Sequence, residues 1–387
     1  MSEQLGGKAG AVLLPVATTV LAFLIGGLVV ALTGHDPVAA YKAIFDGTGL
    51  NYLFPWTSAD DRILAAINLQ QTLIVTCPLI LVALAVAFPY RSGMFNIGGQ
   101  GQYIVGTVAA IWVGTHWPHM TKLWHVTLAM VVAALAAAVW GGIAGALKAA
   151  VGAHEVISTI MLNWIAIYGA QWLYEQGGPF QGPQGDLPQS ADIADSAHLP
   201  GIWGELQPLH AGIFVALAAL VVYYVVVNRT TFGFGVRVVG MNADAAQYSG
   251  VPVSRNYIAA MAVGGAFAGL AGACDALGWE YHVATTDILV SQVGFIGIAV
   301  ALLGRNSAIG IAFAALLFGA LQVGTSSRAL DASVFPPELA GNLATIIQGL
   351  IILFIGGQLL LIYAWRVVRP RRRAQKVAAE PVAEAST

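Results

Sequence analysis

Residues 66–102 have the sequence AINLQQTLIVTCPLILVALAVAFPYRSGMFNIGGQGQ, and this stretch decides the fold. Its first part, 66–88, is an apolar run of the length that a helix needs to cross a bilayer, about 20 residues. Arg91 and a glycine-rich polar segment follow at once, and a second apolar run begins at 96. Two apolar runs joined by a short charged turn are typical of a polytopic membrane protein.

The composition of the whole chain points to the same class. Charged residues make up 9% of the 387 residues, whereas a soluble domain has about 25%. Apolar residues make up 58%, and the mean hydropathy is +0.75. A soluble protein with so few charges could not cover its own surface. The net charge of −2 gives no indication of nucleic-acid binding, and Cys77 and Cys274 lie in apolar stretches, where buried free thiols are common.

Ten apolar stretches predict ten spanning helices, so the expected fold class is all-α. They are 11–33, 66–88, 96–114, 125–147, 157–175, 209–227, 257–275, 289–303, 306–323 and 341–365. The eighth and ninth are short, so we expect them to be broken or re-entrant helices. Non-helical backbone within a membrane is tolerated only where it is buried in protein or lines a water-filled cavity. We expect residues 1–365 to form one transmembrane domain and residues 366–387 to form a basic, partly disordered cytoplasmic tail.

The basic residues predict the orientation in the membrane. With the N-terminus inside, thirteen of the seventeen Lys and Arg residues fall in cytoplasmic segments. Cytoplasmic loops of membrane proteins are enriched in these residues, so both termini are expected in the cytoplasm. Two long loops, 34–65 and 176–208, then lie outside. The second is rich in proline and acids, and it is either a solvated connection or a docking surface for an external partner.

The sequence gives no indication of catalysis. It has no Walker-type phosphate loop, and His154-Glu155 lacks the second histidine of a zinc protease helix. We therefore expect no catalytic residue, no metal and no cofactor. Glu155, Glu175 and Asp275 are expected at helix ends rather than inside the membrane, which argues against a proton-coupled carrier, since pumps keep ionisable groups within the bilayer.

Two motifs place amides next to apolar helices. In the segment 91–102, four glycines disfavour a straight helix, so Asn96 and Gln100 either face a central cavity or, for Asn96, cap the helix that follows. In the segment 152–163, Asn163 is expected inside the membrane, where a buried amide needs a partner. It either joins two helices by a hydrogen bond or lies on a substrate path.

Two further motifs lie at predicted cytoplasmic turns. Residues 240–252 contain Asp244-Ala245-Ala246 followed by Gly250 and a proline, which predicts a short cytoplasmic helix ended by glycine. Residues 294–307 form a glycine-punctuated apolar run, beginning with Gly294-Phe295, that closes on a cytoplasmic arginine.

Taken together, these stretches resemble the permease subunits of ATP-binding-cassette importers. The sequences that carry the resemblance are DPVAAYKAIFDG (36–47), MFNIGGQGQ (94–102), GAHEVISTIMLN (152–163), GMNADAAQYSGV (240–251) and GFIGIAVALLGRN (294–306). Within the superfamily for branched-chain amino acids and simple sugars, the chain is similar to the nucleoside permeases. In that family the cytoplasmic motif begins with Glu where this chain has Asp244, and the first motif often has an acid where this chain has Gln100.

The resemblance implies a transport subunit of a bacterial cytoplasmic membrane, built from two similar halves around a central path. It implies three partners, namely a separate ATPase subunit, a second homologous permease and an external substrate-binding lipoprotein. Asp244, Ala245, Ala246 and Gly250 would then contact the ATPase.

The expected function is therefore import of a small molecule, a nucleoside. Aromatic faces and amides suit a nucleobase and a ribose, so the candidate path residues are Phe95, Asn96, Gln100, Asn163 and Phe295. Three alternatives remain open at this point. The same type of importer could carry a simple sugar or another small polar solute, the chain could be an ion-coupled carrier, or it could be an inert scaffold of a membrane complex.

Overall fold

The protein is helical throughout the residues that the computed structural model describes, which are 8–183, 185–204, 209–326 and 336–357. The first half contains α1 (Lys8–Leu32), α2 (Pro37–Gly47), α3 (Ala59–Tyr90), α4 (Gly99–Thr115), α5 (Lys122–Val151), α6 (Glu155–Tyr174) and α7 (Gly212–Arg229). The second half contains α8 (Thr231–Met241), α9 (Ala243–Tyr248), α10 (Val253–Asp275), α11 (Thr285–Val290), α12 (Val293–Leu303), α13 (Ala308–Gly324) and α14 (Pro337–Gly356). The tail 366–387 lies outside the described residues.

The predicted spanning segments are confirmed as helices over the described residues, and residues 358–365 of the tenth lie outside these residues. In the described part of the chain, eight segments are long and apolar enough to cross a membrane. The other two predicted spans correspond to α4 and α13, which have 17 residues each. The eighth span is broken, as its short length predicted, because α11 ends at Val290 and α12 begins at Val293. The same expectation for the ninth span was wrong, since α13 is one continuous helix, Ala308–Gly324. This all-α, multi-pass architecture agrees with the fold class expected from the sequence.

Helix α3 is the centre of the domain. Ser58 caps its first turn by accepting a hydrogen bond from the backbone N–H of Asp61 at 3.2 Å, as serine commonly does at helix starts. Every residue from Thr76 to Pro89 is buried, because α7, α10, α12 and α13 pack around this half of the helix. A helix that is apolar on all sides is stable only in such surroundings.

Small residues bring α10 against α4 and α5. Gly265 and Gly269 stand one helical turn apart on α10, and a methyl group added at Gly269 would lie 2.6 Å from the side chain of Ala137 on α5. Gly106 of α4 is in similarly close contact with the backbone of Gly269. Helices in membranes associate through such small-residue contacts, because lipid gives no hydrophobic force between them.

The predicted external loop 176–208 is packed on the helices rather than fully solvated. The backbone N–H groups of Ala194 and Ile193 donate to the carbonyls of Gly114 (2.8 Å) and Tyr281 (2.9 Å). A two-stranded antiparallel sheet, β1 (Gly201–Trp203) with β2 (Leu209–His210), leads from this loop into α7. Neither sequence alternative for this loop included such packing, which depends on contacts with residues distant in the chain.

Candidate functional site

The segment between α3 and α4 is an open turn followed by extended backbone, so α4 begins three residues later than the sequence predicted. Gly93 has φ +76°, a left-handed conformation that suits glycine, and residues 94–97 have no helical hydrogen bonds. Asn96 therefore lies outside the helix, and its side-chain oxygen accepts from the backbone N–H of Gly98 at 2.9 Å. The glycines of this motif break the helix start as expected.

Asn96 is completely buried and joins three parts of the chain. Its amide nitrogen donates to the carbonyl of Ala85 on α3 (3.0 Å) and to the side-chain oxygen of Gln102 on α4 (3.0 Å). The Gln102 amide nitrogen donates back to the Asn96 oxygen at 3.2 Å. Both polar atoms of the Asn96 side chain therefore have protein partners in this structure.

Asn163 has the same kind of surroundings on the neighbouring helix α6. It is 3% exposed, its amide nitrogen donates to the carbonyl of Ile97 (2.9 Å), and its oxygen accepts from the backbone N–H of Gly101 (2.8 Å). These bonds pair a free backbone acceptor and a free donor at the broken start of α4. The interhelical alternative that the sequence left open for Asn163 is thus present in the structure, while contact with a solute stays a prediction.

Asn163 supports a stability prediction. Replacing Asn163 by alanine would leave the carbonyl of Ile97 and the N–H of Gly101 buried without partners. An unpaired buried polar group costs about 1–3 kcal/mol, so we expect a clear fall in the thermal midpoint of the detergent-solubilised protein and in its membrane abundance. Serine at the neighbouring Gly169, where an added side chain meets no atom within 4 Å, is the control. An unchanged melting profile for Asn163→Ala would contradict this assignment.

Gln100 differs from the two asparagines because only the oxygen of its side-chain amide has a hydrogen-bond partner among the described residues. Its side-chain oxygen accepts from the backbone N–H of Gly294, at the start of α12, at 2.8 Å. Its amide nitrogen is buried and has no partner among the residues that the structure describes. The two broken helix starts, at α4 and at α12, therefore meet at Gln100.

The two candidate phenylalanines stand apart from this amide cluster. Phe95 is partly buried and meets Tyr90 edge-on, with ring centroids 6.5 Å apart. Phe295 lies on α12, directly after Gly294, with 47% of its surface exposed. The structure thus brings Asn96, Gln100 and Asn163 together but leaves both rings at the edge of the domain.

The predicted cytoplasmic helix is present as α9, one residue earlier than expected. Its first turn is capped by Asn242, whose side chain accepts from the N–H of Ala245 at 3.0 Å, and Gly250 follows with φ +79°. Asp244 and Ala245 are exposed, whereas Ala246 is fully buried. Sequence reasoning did not single out Met241, the last residue of α8, and Tyr248, the last residue of α9, which are 84% and 94% exposed.

The helix α8, which precedes α9, is in backbone contact with the turn that begins the amide cluster. A methyl group added at Gly240 would lie 3.0 Å from the backbone nitrogen of Gly93 and closer still to the carbonyl of Arg91. Arg91 also donates to the Tyr223 hydroxyl (3.1 Å) and to the carbonyl of Asn306 (2.5 Å). The exposed helix α9 is thus connected through α8 to the broken start of α4 and, through Arg91, to the α12–α13 turn.

A comparison with known protein families gives a match that covers most of this architecture. Residues 68–356 match the family described as "Branched-chain amino acid transport system / permease component". The chain belongs to this permease family. It is accordingly a transport subunit and not an enzyme, as the absence of catalytic motifs predicted.

Individual relatives cover nearly the full chain. The guanosine ABC transporter permease protein NupP of Bacillus subtilis is 37% identical over 92% of this chain and 95% of its own length. The nucleoside ABC transporter permease protein NupB of Lactococcus lactis is 31% identical over 96% and 97%. The glucose ABC transporter permease protein TsgB13 of Haloferax volcanii is 35% identical over 88% and 86%. No solved structure matches the chain.

Bacillus subtilis and Lactococcus lactis each have a second permease that is less similar to this chain. These are NupQ, 27% identical over 66% of this chain and 81% of its own length, and NupC, 25% identical over 65% and 80%. Each is named for the same solute as its companion permease, guanosine for NupQ and NupP and nucleoside for NupC and NupB. Permeases of this kind therefore occur in related pairs, which supports the predicted second permease partner.

The permease carries a buried acid, Asp275, whose surroundings the sequence did not reveal. Asp275 is the last residue of α10, as expected, and the chain then continues into a wider turn of π-helix, Ala276–Glu280. Asp275 is 4% exposed and accepts from the Tyr103 hydroxyl at 2.7 Å. The predicted span ends at 275, whereas the helical backbone continues to 280.

Proposed function

We propose that this permease is the membrane-spanning subunit of an ATP-binding-cassette importer for nucleosides. The observation that carries the proposal is 37% identity across 95% of a relative named as a guanosine permease. The nearly complete coverage means that the likeness includes the broken helix starts and the cytoplasmic helix, not only apolar runs. Family membership also favours an ATP-driven importer over the ion-coupled carrier that the sequence left open.

The proposed path passes the point where the two broken helix starts meet. We propose that Gln100 contacts the solute, since its buried amide nitrogen has no partner among the described residues. Phe95 and Phe295, which stand apart from the amide cluster, would offer aromatic faces at other points of the path. Asn96 and Asn163 would act on the path indirectly, by holding the extended backbone of residues 94–97 in place. A polar path through a membrane requires such irregular backbone to be supported by side chains.

The proposed coupling to the ATPase uses the exposed surface of α9. Asp244 and Ala245 face away from the permease and are free to contact another subunit, while buried Ala246 and left-handed Gly250 fix the helix on its own domain. Movement of α9 would reach the start of α4 through the contact of Gly240 with the Arg91–Gly93 turn. ATP binding in a separate subunit could thereby change the shape of the path without any chemistry in this chain.

The membrane orientation and the remaining partners are part of the same proposal. The positive-inside pattern supports a bacterial cytoplasmic membrane with both termini inside, which places α9 next to a cytoplasmic ATPase. A substrate-binding lipoprotein would then deliver the solute to the external loops.

The experiment that tests the function is uptake of a labelled nucleoside by cells that contain or lack this gene together with its neighbouring transport genes. We expect uptake that requires ATP, is lost on deletion, and is prevented by excess unlabelled nucleoside but not by glucose. Competition by glucose instead would favour the alternative that the relative from Haloferax volcanii supports, a glucose permease. Uptake that an ionophore abolishes at constant ATP would contradict both.

Gln100 offers a test of the proposed path. Glutamate at this position keeps an oxygen to accept from the N–H of Gly294 but replaces the unpaired donor by an acceptor. A site that hydrogen-bonds its substrate discriminates strongly when one group is reversed, so Gln100→Glu should change the ratio of guanosine to adenosine uptake by about tenfold or more. Because the lipoprotein is unchanged, such a shift must come from the permease. Equal loss of both activities, with normal abundance, would contradict substrate contact.

A further inference from the structure

The turn between α12 and α13 contains two consecutive residues in a left-handed conformation. They are Arg305, with φ +51°, and Asn306, with φ +53°. Asparagine tolerates this conformation better than most residues, but arginine does not, because its Cβ atom comes too close to the following carbonyl oxygen. The glycine of this segment does not relieve the turn, since Gly304 lies before it in the right-handed region, with φ −71°. Backbone strain of this kind persists only where the surrounding structure holds it.

Two side chains from distant helices hold this turn. The carbonyl oxygen of Asn306 accepts from the Tyr223 hydroxyl of α7 at 2.6 Å and from Nη2 of Arg91, the residue after α3, at 2.5 Å. The Nε–H of Arg91 donates to the Tyr223 hydroxyl oxygen at 3.1 Å. Tyr223 and Asn306 are 2% and 6% exposed, so water has little access to these bonds. Arg91, Tyr223 and Asn306 thus form a closed triangle of hydrogen bonds around the strained turn.

Arg91 also connects this triangle to the cytoplasmic helix α9. Its backbone carbonyl is in close contact with Gly240, the last residue but one of α8, and α9 follows α8 directly. On the other side of the turn, α12 has 11 residues, which span about 16 Å at 1.5 Å per residue. Its far end carries Gly294, whose N–H is bonded to Gln100. The turn therefore lies between the exposed helix α9 and the second broken helix start.

We propose that Arg91 is a positioning residue for transport, which holds the α12–α13 turn in its left-handed form and transmits the movement of α9 to α12. Displacement of α8 would shift Arg91 and open the triangle, and the strained turn would then move the cytoplasmic end of α12. Packed elements change between discrete arrangements, so a small shift at one end becomes a larger movement. The inference rests on the proposed coupling of α9 to an ATPase and adds a second connection to the one that reaches the start of α4.

The test breaks the triangle in the complete transporter, reconstituted in vesicles, and follows the far end of α12. Tyr223→Phe deletes one hydroxyl and keeps the ring, and Arg91→Lys keeps the charge but loses the paired donors of the guanidinium group. The reporter is Gln292→Cys, at an exposed position directly before α12. ATP should change the rate at which this cysteine reacts with a thiol reagent by about fivefold, the lower range of coupling between sites. Each triangle variant should remove most of that change.

A second measurement tests the strain of the turn itself. Arg305→Gly removes the Cβ atom that makes the left-handed backbone unfavourable, whereas Arg305→Ala removes the same charge and keeps the Cβ atom. We therefore expect the solubilised glycine variant to melt about 2 °C or more above the alanine variant. The glycine variant should also respond less to ATP at position 292, because a relaxed turn no longer depends on Arg91.

Tyr224→Phe is the matched control, because Tyr224 is the next residue of α7 and is 50% exposed. It should leave the response to ATP unchanged, and the chain without Gln292→Cys should not react, since Cys77 and Cys274 are buried. Rates are measured per folded molecule, so a lower abundance of one variant does not alter them.

Three results would overturn the inference. They are the absence of any response to ATP at position 292 although ATP is hydrolysed, a response that survives both Tyr223→Phe and Arg91→Lys, and equal melting of the two Arg305 variants. The reporter needs no nucleoside, so a different transported solute would leave this test intact. Failure of the proposed function would instead be seen as a lack of nucleoside uptake or of ATP hydrolysis by the unaltered transporter.

Discussion

Replacing Gly265 by leucine is expected to reduce the amount of folded permease in the membrane by about tenfold. A single added carbon at this position would lie 2.8 Å from the carbonyl carbon of Ala137 and 3.1 Å from the Cα atom of Ala138, so α5 and α10 would have to separate. Overpacking of a close-packed interior typically costs about 1–3 kcal/mol, and here the obstacle is backbone, which cannot rotate away. Even about 1–2 kcal/mol can change the abundance of a protein several-fold.

The measurement is membrane abundance by immunoblot together with the thermal midpoint of the solubilised protein. Gly349→Leu is the matched control, because Gly349 lies in the spanning helix α14 with no atom within 4 Å of an added side chain. Equal abundance of the two leucine variants would show that the close approach of α5 and α10 at Gly265 is not required for folding.

Replacing Asp244 and Tyr248 together by alanine is expected to abolish ATP-driven uptake while leaving the permease folded. Both side chains are exposed on α9, and Tyr248 is 94% exposed, so their loss removes little from this chain. At an interface, the removal of a central aromatic or charged residue commonly costs about 2 kcal/mol or more. That corresponds to roughly 30-fold weaker association with the ATPase subunit.

This prediction is checked by measuring uptake and, separately, co-purification of the ATPase with the tagged permease. Tyr224→Ala is the control for the loss of a tyrosine, because Tyr224 is half exposed on the spanning helix α7. The coupling role of α9 would be wrong if the double variant retained the ATPase and full uptake, or if its abundance fell to the level of the Gly265 variant.

Much of the fold was predictable because membrane helices must satisfy their backbone internally. Without water in the bilayer core, a run of about 20 apolar residues has helix as its main solution, which is why the stretch 66–88 correctly predicted the centre of α3. The breaks were predictable where glycine is dense, as at residues 91–102. They were harder to place where a helix continues beyond its apolar run, as at Asp275, because hydropathy does not record the path of the backbone.

The candidate site was predictable in its residue types but not in its contacts. The sequence identified Asn96, Gln100 and Asn163 as amides in apolar surroundings, and it left two roles open for each asparagine. Only the distances showed that both polar side-chain atoms of each asparagine have partners, while the amide nitrogen of Gln100 has none among the described residues. Ala85, whose carbonyl accepts from the Asn96 amide only in the folded chain, could not have been selected from local sequence.

The sequence alone determined that this chain spans a membrane many times, which end of each helix carries the basic residues, and where glycine breaks the helices. These properties follow from transfer free energies and backbone preferences that act residue by residue. The tertiary structure decided which polar groups are paired and which side chains of α9 are left for a partner. Those outcomes depend on contacts between residues far apart in the chain, and such contacts exist only once the helices have packed.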